Sequence, residues 1–396
     1  MRDFLLYIKT GQDSIQAYVT PCFQVDQAFW QEREGCQLYV MGRTPSLALA
    51  FSVRERLNRS LQEEQMGKRH MNEQMLERLR RLAISCVRES SALYGRDMAE
   101  LEPSRESWFS WRDGVNREAD EIVNSCVNIE QEVKNLLAGR ALLWEEIETL
   151  FQKQGFSIPD LDRILQRMVL AGEAAWLPGV QLFVNNSWLR HSLKLICSRC
   201  GSEGERIELT ICHTCGQGCA YCTVCLGMGR SKCCTPYLLV PANCAVQQRN
   251  VSRLAWSGRY SKDQALAAER ARRFVANPWT RNSEFLIWAV CGAGKTELLF
   301  PSVAEALSQG GRVLIATPRK DVVLELAPRI QKVFPEAKVI AVHGSSKEKW
   351  ADSDIAIATT HQVMRYFQRF FLVVLDEVDA FPYITTCIRK TSRIIP

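Results

Sequence analysis

The chain has 396 residues, 50 Lys and Arg against 44 Asp and Glu, a net charge of +6, and 46% hydrophobic residues. That length leaves room for two or three domains, and the apolar fraction excludes a largely disordered chain. No apolar run approaches the ~20 residues of a membrane-crossing helix. The first residues, Met1–Lys9, lack the apolar stretch of a secretory signal, so a cytoplasmic protein is the expectation.

Residues 1–130 read as a mainly helical N-terminal region to which no chemistry attaches. Leu38–Val40 and Ala48–Phe51 fit strand or helix equally. From Ser52 to Leu101 the spacing of Leu57, Leu61, Met75, Leu79 and Leu82 predicts helix. Its many arginines could face a nucleic acid. Glu55, Glu63, Glu64 and Glu73 run among them, and the preferred reading is a solvated amphipathic face.

Residues 131–195 predict a winged-helix-like unit. Leu142–Leu150 is an amphipathic helix, and Gly155–Pro159 a turn. A second helix, Leu161–Leu170, follows, capped by Ser157 or Asp160. Ala175–Phe183 predicts two short strands around Pro178-Gly179. Such units pack proteins more often than they read DNA.

Sixteen cysteines are the compositional anomaly, and ten of them fall between Cys197 and Cys244. In a chain without a secretory signal, clustered pairs point to metal rather than disulfides. Cys197/Cys200, Cys212/Cys215 and Cys222/Cys225 are CxxC pairs. Each CxxC turn offers two corners of a tetrahedral zinc site, so residues 196–245 read as a zinc module. The spacing leaves the pairing open. An iron–sulfur cluster is the less favoured alternative.

Residues 246–396 change rhythm. Arg249–Arg273 is basic and helical. Phe285–Val290, Val313–Ala316, Val339–Val342, Ile355–Ala358 and Phe371–Leu375 are short apolar runs between helical or polar connections. Strands covered on both faces look like this, so the fold class is α/β with a parallel sheet.

Ala289-Val290-Cys291-Gly292-Ala293-Gly294-Lys295-Thr296 joins the first of these runs to a helix. Gly292 and Gly294 let the backbone turn its N–H groups, Ala293's included, toward phosphate oxygens. Lys295 suits the β- and γ-phosphates, and the Thr296 hydroxyl suits Mg²⁺. Val373-Val374-Leu375-Asp376-Glu377-Val378-Asp379 supplies the other half of such a site: Asp376 for Mg²⁺, Glu377 as base for the attacking water. ATP hydrolysis is the implied reaction.

These motifs resemble those of superfamily 2 helicases, with Asp376–Asp379 as the DExD box and Ala289–Thr296 as motif I. Thr317-Pro318-Arg319, Gly344-Ser345-Ser346 and Thr359-Thr360-His361-Gln362 resemble their nucleic-acid motifs. The resemblance implies a first RecA-like lobe, nucleic-acid contacts from Arg319, Gly344, Ser345, Thr360 and His361, and an adenine-reading role for Gln264. A cysteine module just before such a lobe resembles the ComFA family, the ATPases of bacterial DNA uptake in competence. The likeness covers about residues 195–382 and includes Cys197–Gly201, Tyr221–Arg230, Thr317–Arg329 and Asp376–Pro382.

By this resemblance Cys197, Cys200, Cys222 and Cys225 bind zinc, with Cys212 and Cys215 as further candidates. The surplus thiols raise the hypothesis of a second zinc. The implied cofactors are ATP, Mg²⁺ and Zn²⁺. The implied partners are single-stranded DNA, a membrane DNA-uptake channel, other cytosolic competence proteins and a separate chain carrying a second RecA-like lobe. No second-lobe motif follows Asp379, so the sequence reads as a truncated or frame-shifted product at the inner face of the membrane or in the cytosol. Three readings compete with the uptake motor: a zinc-dependent binding module that holds ATP without turnover, a primosomal replication-restart helicase, and an RNA helicase.

Overall fold

The computed structural model describes residues 3–11, 14–31, 36–64, 71–94, 127–153, 155, 158–187, 190–216, 218–242, 254–277, 283–290, 292–377 and 394–395. It divides into two compact units. One is formed by 1–137 with 142–240, the other by 138–141 with 241–396.

The first unit opens with β1 (Phe4–Thr10), β2 (Ile15–Thr20), α1 (Phe23–Gln31), β3 (Gln37–Thr44), α2 (Leu47–Glu64) and α3 (Glu73–Tyr94). The strands form an antiparallel sheet in the order β2-β1-β3. The predicted helices of 52–101 are α2 and α3, and the ambiguous run at 38–40 is strand. Successive strand side chains face opposite sides. Leu6 and Ile8 share a core with Val53 and Leu57 of α2 and with Leu76 and Leu79 of α3, whereas Tyr7 packs with Trp30 and Leu38.

Next come α4 (Val127–Leu137), β4 (Arg140–Leu143), α5 (Trp144–Gln152), α6 (Ile158–Leu170), β5 (Ala175–Pro178), β6 (Val180–Ser187) and β7 (Arg190–Cys197). This is the helix and strand order of the winged-helix expectation, but the hairpin is β6/β7 rather than β5/β6. Pro178-Gly179 passes the chain from one sheet to another. A Cβ on Gly179 would lie 2.8 Å from the Lys232 carbonyl oxygen, so the glycine serves close backbone approach. Of the two proposed caps, Ser157 lies outside the described residues and Asp160 sits inside α6.

The cysteine module contributes β8 (Ile207–Ile211), β9 (Gly218–Cys222) and β10 (Pro236–Val240). β8 and β9 form a hairpin, and β10 pairs antiparallel with β5.

The second unit holds α7 (Lys262–Ala276), α8 (Lys295–Leu298), α9 (Phe300–Ser308), β11 (Val313–Thr317), α10 (Lys320–Val333), β12 (Val339–Val342), β13 (Ile355–Thr359), α11 (Thr360–Val363), β14 (Leu372–Leu375) and β15 (Ile394–Ile395). Its sheet is parallel throughout, in the order β12-β13-β11-β14-β15. Alternation divides each strand between two cores. Val313, Ile315, Ile357 and Val374 face α9 and α10, and Leu314, Ala316, Ala358 and Val373 face Val363, Tyr366 and Phe370. Both faces are covered, which is why the strands read as unbroken apolar runs.

One predicted strand is not formed. Phe285–Val290 forms no strand among the described residues. Phe285 and Ile287 pack on the α9/α10 side, while Leu286, Trp288 and Val290 are 63%, 91% and 75% exposed. Ladder bonds to a neighbour are what would make the run part of the sheet.

Candidate nucleotide site and thiol centre

All strands of a parallel sheet end at one edge, and loops there gather the ligand-binding groups of α/β folds. β11 leads to Arg319 and Lys320, β12 to Gly344 and Ser345, β13 to Thr360 and His361, and β14 to Asp376 and Glu377. Val378 and Asp379, the rest of the predicted box, lie outside the described residues.

The candidate phosphate loop leads into α8, and its Ala293 N–H, expected to face phosphate, is instead taken by a carbonyl of the loop itself. Gly292 and Gly294 have φ of 78° and 72°, in the left-handed region that glycine tolerates. Ala293 N–H closes on the Val290 carbonyl at 3.2 Å. Lys295 begins α8 with its side chain exposed, and Thr296 follows half-buried. A Cβ added at Gly292 would meet nothing within 4 Å, so the loop's outer side is open to a ligand. Cys291 lies outside the described residues.

Lys295 lies within electrostatic reach of Asp376. Burial pushes the Asp376 carboxyl above the usual carboxylate range, and the nearby Lys295 charge pulls it back. Asp376 N–H donates to the Ala316 carbonyl at 2.8 Å, which fixes the backbone at the β14 terminus. Glu377 is exposed with φ of 54°, an uncommon conformation for a side-chain-bearing residue and one that clusters at functional sites. The donor set is a loop of N–H groups, a lysine, a hydroxyl and two carboxylates, and it fits a triphosphate with Mg²⁺.

Gln264 holds the loop. Its Nε2 donates to the Ala293 carbonyl at 3.0 Å, and its Oε1 accepts from Ser261 N–H at 2.8 Å in a capping box at the start of α7. Tyr260, unforeseen in the sequence, donates from its hydroxyl to the Glu297 carbonyl at 2.7 Å, and its ring packs on Trp256. Of the expected nucleic-acid residues, Arg319 is exposed and paired with Asp321, with Glu377 also within electrostatic reach. Ser345 is exposed and receives Lys320 Nζ at 3.4 Å. Gly344 has open space where a Cβ would be. Thr360 is buried, which leaves His361 as the exposed residue of that pair.

The first thiol centre joins two CxxC turns. Cys197 ends β7 and Cys200 follows it, Cys222 ends β9, and Cys225 lies three residues on. All four are buried, with sulfurs within 4.8 Å of one another. Cys197 Sγ is 3.7 Å from Cys225 Sγ, and Cys200 Sγ is 3.5 Å from Cys222 Sγ. Four sulfurs at about 2.3 Å from one zinc stand about 3.8 Å apart, the edge of the tetrahedron, so the set fits a zinc ion. Gly201, with φ of 74°, returns its N–H to the Cys197 carbonyl at 2.9 Å and closes the first turn.

Around this centre are groups that carry no sequence signal. Ser231 Oγ lies 3.4 Å from Cys197 Sγ and donates to the Gly179 carbonyl at 2.7 Å. Ser202 Oγ is 3.1 Å from Cys200 Sγ. Arg199, between the first two ligands, is buried and pairs with Glu146 of α5 at 2.9 Å. Such partners orient ligands and tune a metal. Cys212 and Cys215 are not part of this set. They lie with Cys219 and Cys234.

Comparison with known proteins agrees with this architecture. Residues 255–387 match the family model described as type III restriction enzyme, res subunit. Residues 124–239 match the competence protein ComFA N-terminal domain. The fold and these matches define a helicase-type domain that follows a cysteine-rich module in the sequence. Competence protein ComFA of Bacillus subtilis is 42% identical over 187 residues, covering 47% of this chain and 39% of that protein. Competence protein ComFA of Streptococcus pneumoniae is 36% identical over 192 residues, covering 48% of this chain and 41% of that protein. The chain is thus similar to competence protein ComFA over part of its length, and it spans about two-fifths of the length of these curated relatives.

Proposed function

We propose that this chain binds Mg²⁺–ATP at the carboxyl edge of its parallel sheet and couples it to single-stranded DNA as part of a DNA-uptake motor in natural competence. The observation that carries this reading is a loop with two left-handed glycines leading into α8, with Asp376 at the end of β14 within electrostatic reach of its Lys295. In this reading Gly292–Thr296 cradle the phosphates and Lys295 meets the β- and γ-oxygens. Thr296 and Asp376 hold Mg²⁺, which offsets phosphate charge when bound. Glu377 orients the attacking water. Gln264 keeps the loop in shape through Ala293, and its adenine-reading role remains part of the proposal.

DNA contact follows from the same edge. Arg319, Gly344, Ser345 and His361, with Lys320 beside them, offer cations, small residues and polar donors suited to a sugar–phosphate backbone. Thr360 contributes from beneath. Cys197, Cys200, Cys222 and Cys225 hold a structural zinc. No helix of the described residues is long and apolar enough to cross a membrane, so the proposed place at the inner face of the membrane needs a docking partner, such as the uptake channel or another competence protein.

The test is ATP turnover with and without single-stranded DNA. DNA-stimulated turnover that Lys295→Ala abolishes supports the motor. Nucleotide and DNA binding without turnover would support the binding-module reading. Absence of nucleotide binding would overturn the reading.

A further inference from the structure

Cys212, Cys215, Cys219 and Cys234 form a second set of buried thiols, with sulfurs within 4.8 Å of one another. Cys234 Sγ lies 3.8 Å from both Cys212 Sγ and Cys219 Sγ. That is the tetrahedral edge of about 3.8 Å expected when four sulfurs surround one zinc. It is far outside the ~2.05 Å of a disulfide. A multi-iron cluster would hold its cysteines farther apart than one ion does.

The local fold repeats the first centre. Cys212-His213-Thr214-Cys215-Gly216 makes the same turn as Cys197–Gly201. Gly216 has φ of 72° against 74° for Gly201, and its N–H meets the Cys212 carbonyl at 2.7 Å. This turn closes the tip of the β8/β9 hairpin, and Cys219 stands on β9 just beyond it. Cys234 arrives on a segment held beside β9, where Cys233 N–H donates to the Ala220 carbonyl at 3.0 Å and Lys232 bridges to Tyr221. Lys232 Nζ donates to Thr214 Oγ1 at 3.1 Å, which brings a cation beside the turn. Four thiolates around a divalent ion leave a net charge of about −2, which that cation offsets.

We infer that Cys212, Cys215, Cys219 and Cys234 bind a second, closed structural zinc, independent of the ion at Cys197, Cys200, Cys222 and Cys225. Binding releases the thiol protons and leaves no open coordination position. The β8/β9 hairpin is then pinned at both ends, by Cys222 at one and by Cys212, Cys215 and Cys219 at the other. The choice of zinc rests on the same reading of the first centre, but the two sites fail separately.

The experiment counts metal in the purified full chain, by elemental analysis and by native mass spectrometry. Two zinc ions per chain are expected in the wild type. Cys234→Ser or Cys212→Ser should leave one, and so should Cys222→Ser. Cys233 also approaches Cys219, so Cys233→Ser is the control and should keep two. If the cysteine variants do not fold, the wild-type native mass still decides the count. One zinc that Cys222→Ser removes and Cys234→Ser keeps would overturn the second site and leave the first intact. Iron with visible absorption, or loss of the second ion on Cys233→Ser but not Cys234→Ser, would overturn the assignment too.

Discussion

Removing the carboxylate of Glu146 should be among the costliest single changes in the first unit. The Arg199 side chain is 0% exposed and that of Glu146 8%, with a separation of 2.9 Å. Arg199 lies inside the first CxxC turn, so this pair ties α5 to the thiol centre. A guanidinium does not discharge in a protein. Glu146→Ala therefore leaves a buried cation without its carboxylate, at a cost of about 3–5 kcal/mol. Glu146 Oε2 also accepts the Leu143 N–H at 3.0 Å at the start of α5, and loss of that cap adds about 1 kcal/mol. The Met228 carbonyl, 3.3 Å from Arg199 Nη1, remains and moderates the total. Urea denaturation of the zinc-loaded chain, followed by circular dichroism, measures the difference. Glu145→Ala, at an exposed neighbour, should stay within about 0.5 kcal/mol of wild type. A Glu146→Ala variant as stable as Glu145→Ala would refute the reasoning.

Asp26 gives a pH prediction. Burial pushes its carboxyl up to about 7, although Thr20, Tyr7 and Gln166 all donate to it. The native state then keeps a proton that the unfolded chain releases near the ordinary carboxylate value. The resulting stability is fully present below that value and is lost as pH rises through about 7, at about 1.4 kcal/mol per pH unit. Asp26→Asn should flatten the fall between the two values; parallel curves for variant and wild type would count against it. Gly294→Ala forces a side chain into φ of 72° and to 3.1 Å from Gln264 Nε2. It should weaken nucleotide binding at least tenfold in a fluorescence titration, with circular dichroism unchanged. Gln264→Ala releases the Ala293 carbonyl and should raise the nucleotide Kd several-fold without altering metal content; an unchanged Kd would remove Gln264 from the site.

Much of the second unit was legible because burial on both faces writes itself as unbroken apolar runs. Val313–Ala316, Val339–Val342, Ile355–Ala358 and, from its second residue on, Phe371–Leu375 all became parallel strands. Phe285–Val290 carries the same signal yet forms no strand among the described residues, since composition does not specify a pairing neighbour. The phosphate loop and the CxxC turns could be read because their chemistry demands glycine, lysine and cysteine at fixed local spacing. Spacing alone did not divide the thiols: resemblance named the first set, and the membership of the second was not legible. The division depends on the β8/β9 hairpin, which carries Cys222 to one end and Cys212 to the other. Ser231, Ser202, Tyr260 and the Arg199–Glu146 pair were invisible for the same reason: each is an ordinary residue until a distant segment arrives beside it.

The most direct test concerns the shared nucleotide and metal. Affinity for a non-hydrolysable ATP analogue should be measured with and without Mg²⁺ in wild type, Lys295→Ala and Asp376→Asn. The account predicts Mg²⁺-strengthened binding in the wild type, loss of binding in Lys295→Ala, and in Asp376→Asn binding that no longer responds to Mg²⁺. Wild-type binding that ignores Mg²⁺, or an Asp376→Asn variant with the full Mg²⁺ response, would contradict it.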